Sequence, residues 1–121
     1  MWSILIVVIV FLVAKVLFLQ DLGEQEAVTF IKEGAVLVDV RTIAEYEGGH
    51  VDGALNIPVD ELEHLAKNML SNHGDIILLY CLSGSRAMIA KQLLKKAGYE
   101  NVYNLGTLGR ADSINKKAAR T

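Results

Sequence analysis

Cys81 is the only cysteine in the 121 residues, and Leu82, Ser83, Gly84 and Ser85 separate it from Arg86. A thiol, a glycine and a guanidinium at that spacing are the parts of a nucleophile set in an anion-binding loop. The loop leaves the strongest strand pattern of the chain, DIILLYC (75–81), and enters a helical one, SRAMIAKQLLKKAG. Unpaired backbone N–H groups at such a helix start form a cradle for negative charge, which the helix dipole reinforces. Gly84 allows a tight turn and a close approach of backbone to a bound group. Arg86 adds a permanent positive charge. Each of these features favours thiolate over thiol at Cys81, and hence nucleophilic chemistry. The same cradle suits an oxyanion or a terminal sulfur carried as a persulfide. Cysteine after a strand is also a small core hydrophobe, but the flanking Ser83, Gly84, Ser85 and Arg86 are loop residues.

Elements that hold this loop can be read on either side of it. AVLVDV (35–40) is a β-branched apolar run suited to a buried parallel strand, ALNIP (54–58) a short strand, and NVYNLG (101–106) a last strand. Between them, GEQEAVTFIKEG and DELEHLAKNML carry apolar residues at helical spacing, the latter with Asp60 or a neighbour as its cap. Thr42 followed by Glu45 predicts a capping box at the start of a short helix ending at Gly48-Gly49. Lys95, Lys96 and Gly98 close the helix after Cys81. Strands alternating with helices over short connections argue for a parallel α/β sheet covered on both faces. In such sheets ligands gather at the carboxyl ends of the strands, where Cys81 lies.

Composition narrows the class. Net charge is −2, so nothing marks a nucleic-acid binder. The hydrophobic share of 52% is concentrated at the amino end, where residues 2–19 are apolar except for Ser3 and Lys15. Three readings of that segment compete. No basic stretch precedes it and no small-residue cleavage site follows, against a removed leader. It has no polar face, against a core helix. The reading it favours is an uncleaved transmembrane anchor over residues 1–20, with Lys15 at the interface. Lys15 and Lys32 lean the following domain toward the cytoplasmic side. Residues 22–109 form the expected domain, and 110–121 a basic tail.

Four stretches together resemble the rhodanese family of sulfurtransferases: DVR (39–41), EYEGGHVDGALNIP (45–58), YCLSGSRA (80–87) and LLKKAGYENVYNLG (93–106). The resemblance implies a rhodanese-like α/β fold, a five-stranded parallel sheet flanked by helices, here preceded by one hydrophobic N-terminal helix. It implies transfer of sulfane sulfur through a persulfide on Cys81, with Leu82, Ser83, Gly84, Ser85 and Arg86 cradling the substrate. The donor is a small anion such as thiosulfate, and the acceptor a thiol, cyanide or a sulfur-acceptor protein. The competing reading is a membrane-tethered sulfur-relay or interaction module with little turnover of thiosulfate. Related phosphatases and arsenate reductases have a loop one residue longer, which disfavours phosphate chemistry here. The loop departs from thiosulfate-preferring members in that Leu82, Ser83 and Ser85 are neutral.

Asp39, Arg41 and His50 are expected near the site in structural roles: Asp39 and Arg41 as a salt bridge that fixes a strand-to-helix turn, His50 in packing. Glu45 and Glu47 read as exposed helix charges. His50, His64 and His73 lack metal-ligand spacing, so neither a metal nor another cofactor is expected.

Overall fold

Period-two burial in the strand before Cys81 sorts its side chains between two cores. The computed structural model describes residues 1–18 and 21–121. In β3 (Ile76–Cys81), Ile77, Leu79 and Cys81 pack into one cluster and Leu78 and Tyr80 into the other, all five fully buried. Such a strand must lie inside the sheet. It pairs in parallel with β1 (Val36–Asp39) on one side and β4 (Asn101–Thr107) on the other, and β2 (Leu55–Asn56) extends the sheet beyond β1. The order is β2-β1-β3-β4.

Helices cover both faces. On the Cys81 face lie α4 (Leu62–Met69) and α5 (Ser85–Lys96), contributing Leu62, Ala66, Ala87, Ala90 and Leu94. On the other lie α2 (Glu24–Lys32) and α6 (Leu108–Arg120), contributing Ala27, Val28, Ala111, Ile114 and Ala118. The segment after β4 is therefore a helix whose small apolar residues pack against the sheet and α2. Lys117 pairs with Glu24 across that contact. A short α3 (Ile43–Glu47) follows β1, with the capping box formed by Thr42 and Glu45. Asp60 does not cap α4: it sits in a 3₁₀ turn, Val59–Glu61, and the α4 start has no side-chain cap.

Two expectations are corrected. The sheet has four strands among the described residues, not five. The chain entering α2 meets the outer edge of β4 through one backbone bond, Asp21 N–H to the Asn104 carbonyl (2.9 Å). The Asn104 N–H goes to the Asp21 carboxylate instead (2.7 Å), so a side chain takes the place of a second ladder bond. The transmembrane anchor is the second. The amino-terminal helix, α1 (Trp2–Phe18), has 17 residues and spans about 26 Å, short of a hydrocarbon core of ~30 Å. Among the described residues no helix is long and apolar enough to cross a membrane. The assignment of the domain to a membrane face falls with it. Residues 19–20, which that expectation included, lie outside the described residues.

Candidate active site at the Cys81 loop

The site begins where β3 ends. Cys81 Sγ is wholly buried and accepts a hydrogen bond from the Gly84 amide at 2.9 Å. The sulfur thus sits inside its own loop, with a backbone dipole aimed at it. That turn requires Gly84 at φ 97°, in the left-handed region where a side chain is strained. Gly84 is also the N-cap of α5, and no side chain caps this helix start. The first-turn amides of a 12-residue helix are therefore left for a negative group held in the loop. Ser83 and Ser85 share a hydroxyl hydrogen bond (3.0 Å) on the loop surface. Leu82 stands out from it, 59% exposed.

Arg86 begins the second shoulder of the site. Its guanidinium meets the Glu45 carboxylate fork to fork, Nη1–Oε1 2.7 Å and Nη2–Oε2 3.0 Å. Glu45 Oε1 also accepts from the Thr42 amide and hydroxyl. One carboxylate therefore caps α3 and clamps the loop arginine. Arg86 and then the Thr42 amide hold the Glu45 carboxyl down at about 2, far below its ordinary range. Reciprocally, Glu45 raises Arg86, with the nearby Cys81 a smaller contributor. Glu45 is thus more than the exposed helix charge its sequence context suggests. No local pattern reveals this, because its partner lies 41 positions away.

Asn104 is the other residue that sequence reasoning passed over. It is fully buried in β4 and donates Nδ2–H to the Gly84 carbonyl at 3.0 Å. Its Oδ1 accepts from the Gly106 amide at 2.8 Å. A register shift lets β4 accommodate this: Leu79 pairs with Asn104 and Tyr80 with Gly106, leaving Leu105 as the extra residue. A polar residue amid the apolar pattern of 101–106 was the available signal. The loop is thus held on one side by an edge strand and on the other by α3.

Asp39 and Arg41 lie at the end of β1, where Asp39 is in register with Tyr80, one residue before Cys81. Both are buried, and they form a tight pair, Nη2–Oδ2 2.7 Å and Nε–Oδ1 3.0 Å. Arg41 also donates to the Gly49 carbonyl (2.7 Å), tying the chain after α3 to the strand. The Asp39 hydrogen bond raises the already high basicity of Arg41. Through Nε and Nη2 this guanidinium fixes the turn. His50 is exposed: its ring stacks on Tyr46 (centroids 3.6 Å apart) and its Nδ1 lies 2.9 Å from the Tyr46 carbonyl. Burial raises the Tyr80 phenol, whose oxygen accepts from the Val51 amide at 3.1 Å. Arg41 thus lies in the β1–α3 connection and His50 just after α3, while Cys81, Gly84 and Arg86 form the loop itself.

The fold is a parallel α/β domain with a buried thiol in a backbone-lined loop at the carboxyl end of a central strand. The rhodanese-like domain family matches residues 23–107, and the chain belongs to that family. It is 35% identical over 71 residues to the thiosulfate sulfurtransferase PspE of Escherichia coli (strain K12), covering 59% of this chain and 68% of that one. It is 43% identical over 75 residues to the tRNA uridine(34) hydroxylase of Erwinia tasmaniensis, covering 59% of this chain but only 21% of that protein. Several curated relatives are likewise spanned over less than two thirds of their length. Among solved structures, the human single domain sulfurtransferase TSTD1 is similar with a TM-score of 0.62 and 30% identity, over 76% of this chain and 92% of that one.

Proposed function

We propose that the chain is a sulfurtransferase that moves sulfane sulfur from a small anionic donor such as thiosulfate to a thiophilic acceptor through a Cys81 persulfide. The observation that carries this reading is the Gly84 amide directed at Cys81 Sγ (2.9 Å) at the uncapped start of α5. Amides so placed stabilise the attacking thiolate, and then the negative outer sulfur of the persulfide. In the first step the Cys81 thiolate attacks the outer sulfur of thiosulfate. The new bond joins that sulfur to Sγ, the sulfur–sulfur bond of the donor breaks, and its electron pair leaves on sulfite. In the second, cyanide or a thiolate attacks the outer sulfur and carries it off, and the electron pair of the persulfide bond returns to Sγ. Leu82 to Arg86 form the cradle, and ping-pong kinetics follow from the covalent intermediate. Burial of Cys81 requires the donor to open or enter the loop, which places Leu82 and Ser83 at its mouth.

A second reading, a sulfur-relay module that passes sulfur between proteins with little thiosulfate turnover, is favoured by the state of the two arginines. Arg41 is bound to Asp39 and Arg86 to Glu45, and Leu82, Ser83 and Ser85 bring no further cation. A loop with few free charges suits a sulfane sulfur delivered from another protein's persulfide, whose thiolate departs as the sulfur passes to Cys81.

Incubation with thiosulfate and cyanide tests the first reading: thiocyanate should form, and Cys81 should gain the mass of one sulfur atom before cyanide is added. Cys81→Ser should abolish both while unfolding at nearly the same denaturant concentration. If the sulfur is gained from a protein persulfide but not from thiosulfate, the relay reading holds. If it is gained from neither, both readings fail.

A further inference from the structure

Far from the Cys81 loop, the groove between α4 and α5 deepens into a cavity of about 570 Å³, within the roughly 300–1,000 Å³ typical of small-molecule sites. It lies beside the last two turns of α5, whereas the Cys81 loop joins the first. His73, ahead of β3, borders it, so cavity and thiol occupy opposite ends of that strand. Its floor is the buried set Leu62, Ala66, Leu94 and Tyr99, all members of the cluster that also contains Cys81. The Tyr99 hydroxyl is already engaged by the Leu70 carbonyl (2.6 Å), so the floor presents carbon to an occupant.

The rim is polar and mainly basic. Lys67 and Lys96 border the cavity, one from each helix, and both are exposed. Neither forms an ion pair among the described residues. Glu63 is the single carboxylate of the lining. An apolar floor beneath two unpartnered ammonium groups is complementary to an apolar chain that ends in one anionic group. Cations on flexible stems at the mouth keep that head group in water while the chain is buried.

We infer that this cavity binds an amphipathic monoanion, of the class of a medium-chain carboxylate, with its tail over Leu62, Ala66 and Leu94 and its head between Lys67 and Lys96. The site goes beyond sulfur transfer and uses none of the residues assigned to it. The test is an NMR titration of the isotope-labelled full chain with octanoate and, separately, octylammonium. Octanoate should give saturable shifts at Ala66, Leu93 and Ala97, with binding about tenfold tighter than that of octylammonium. The Lys67→Glu/Lys96→Glu pair should abolish or reverse that preference. Ala97→Trp, at an exposed helix end, should fill the cavity and remove the shifts with either head group. The inference is overturned if the shifts are confined to residues 2–13, if both head groups bind alike, or if octanoate leaves these three residues unmoved.

Discussion

The Arg86 guanidinium and the Glu45 carboxylate meet in a two-bond fork, 2.7 and 3.0 Å, across 41 positions of chain. The pair joins the last residue of the Cys81 loop to the first turn of α3. It fixes the direction of the only guanidinium in that loop, and Thr42 fixes the carboxylate in turn. Since both side chains are partly exposed, solvent screens the pair and it contributes little to global stability. Its expected effect is on the position of charge.

Glu45→Gln keeps an acceptor for the Thr42 cap but removes the charge opposite Arg86. Sulfur transfer from thiosulfate should fall about tenfold in kcat/KM, equivalent to about 1.4 kcal/mol of transition-state stabilisation. The denaturation midpoint should shift only slightly. Steady-state kinetics and a denaturant titration on the same sample check both halves. Unchanged kcat/KM would show that Arg86 is positioned without Glu45.

The same carboxylate sets a pH window. Glu45 is held at about 2 in the folded chain against an ordinary 4.5, so the folded state binds its proton more weakly than the unfolded one. Its contribution to stability is therefore fully present above about pH 4.5 and is lost as pH falls toward 2. The difference in unfolding free energy between the native chain and Glu45→Gln should be constant from neutral pH to about pH 5, then shrink below it. Urea titrations at a series of pH values measure this. A difference that already shrinks between pH 7 and 6 would assign the effect to another group.

Gly84→Ala places a side chain at φ 97°. The left-handed conformation costs about 1–2 kcal/mol for a residue with a Cβ. The loop should relax by turning the residue-84 amide away from Sγ. Stability should fall by that amount and transfer by more than the stability loss explains. Persulfide formation followed by mass spectrometry is the direct readout, and a variant that loads sulfur at the native rate would remove the amide from the mechanism.

Asn104→Ala leaves the Gly84 carbonyl and the Gly106 amide without their buried partner. Each unsatisfied group costs about 1–3 kcal/mol, so the variant should be markedly less stable. Amide hydrogen exchange should quicken at residues 82–84 more than in α2, on the far side of the sheet. Uniform quickening would mean that Asn104 supports the fold as a whole and not the loop in particular.

Much of this arrangement is local, and the sequence alone determined it. Strand and helix positions follow from apolar spacing: DIILLYC reads as a central strand because both of its faces are apolar, and it is one. The Thr42–Glu45 box needs only three residues' separation. Cys81, Gly84 and Arg86 lie within six positions, so the loop is visible in the sequence as a candidate site. What only the tertiary structure decided depends on pairs distant in sequence. Glu45 looks like any helix carboxylate until the starts of α3 and α5 are brought together at the carboxyl ends of β1 and β3. Asn104 acts on the loop only because β4 lies beside β3 with a one-residue bulge. Among the described residues no fifth strand forms beside β4, where the Asp21 carboxylate receives the Asn104 amide. Side-chain pattern determines which element forms, whereas charge pairing and edge geometry depend on which elements become neighbours.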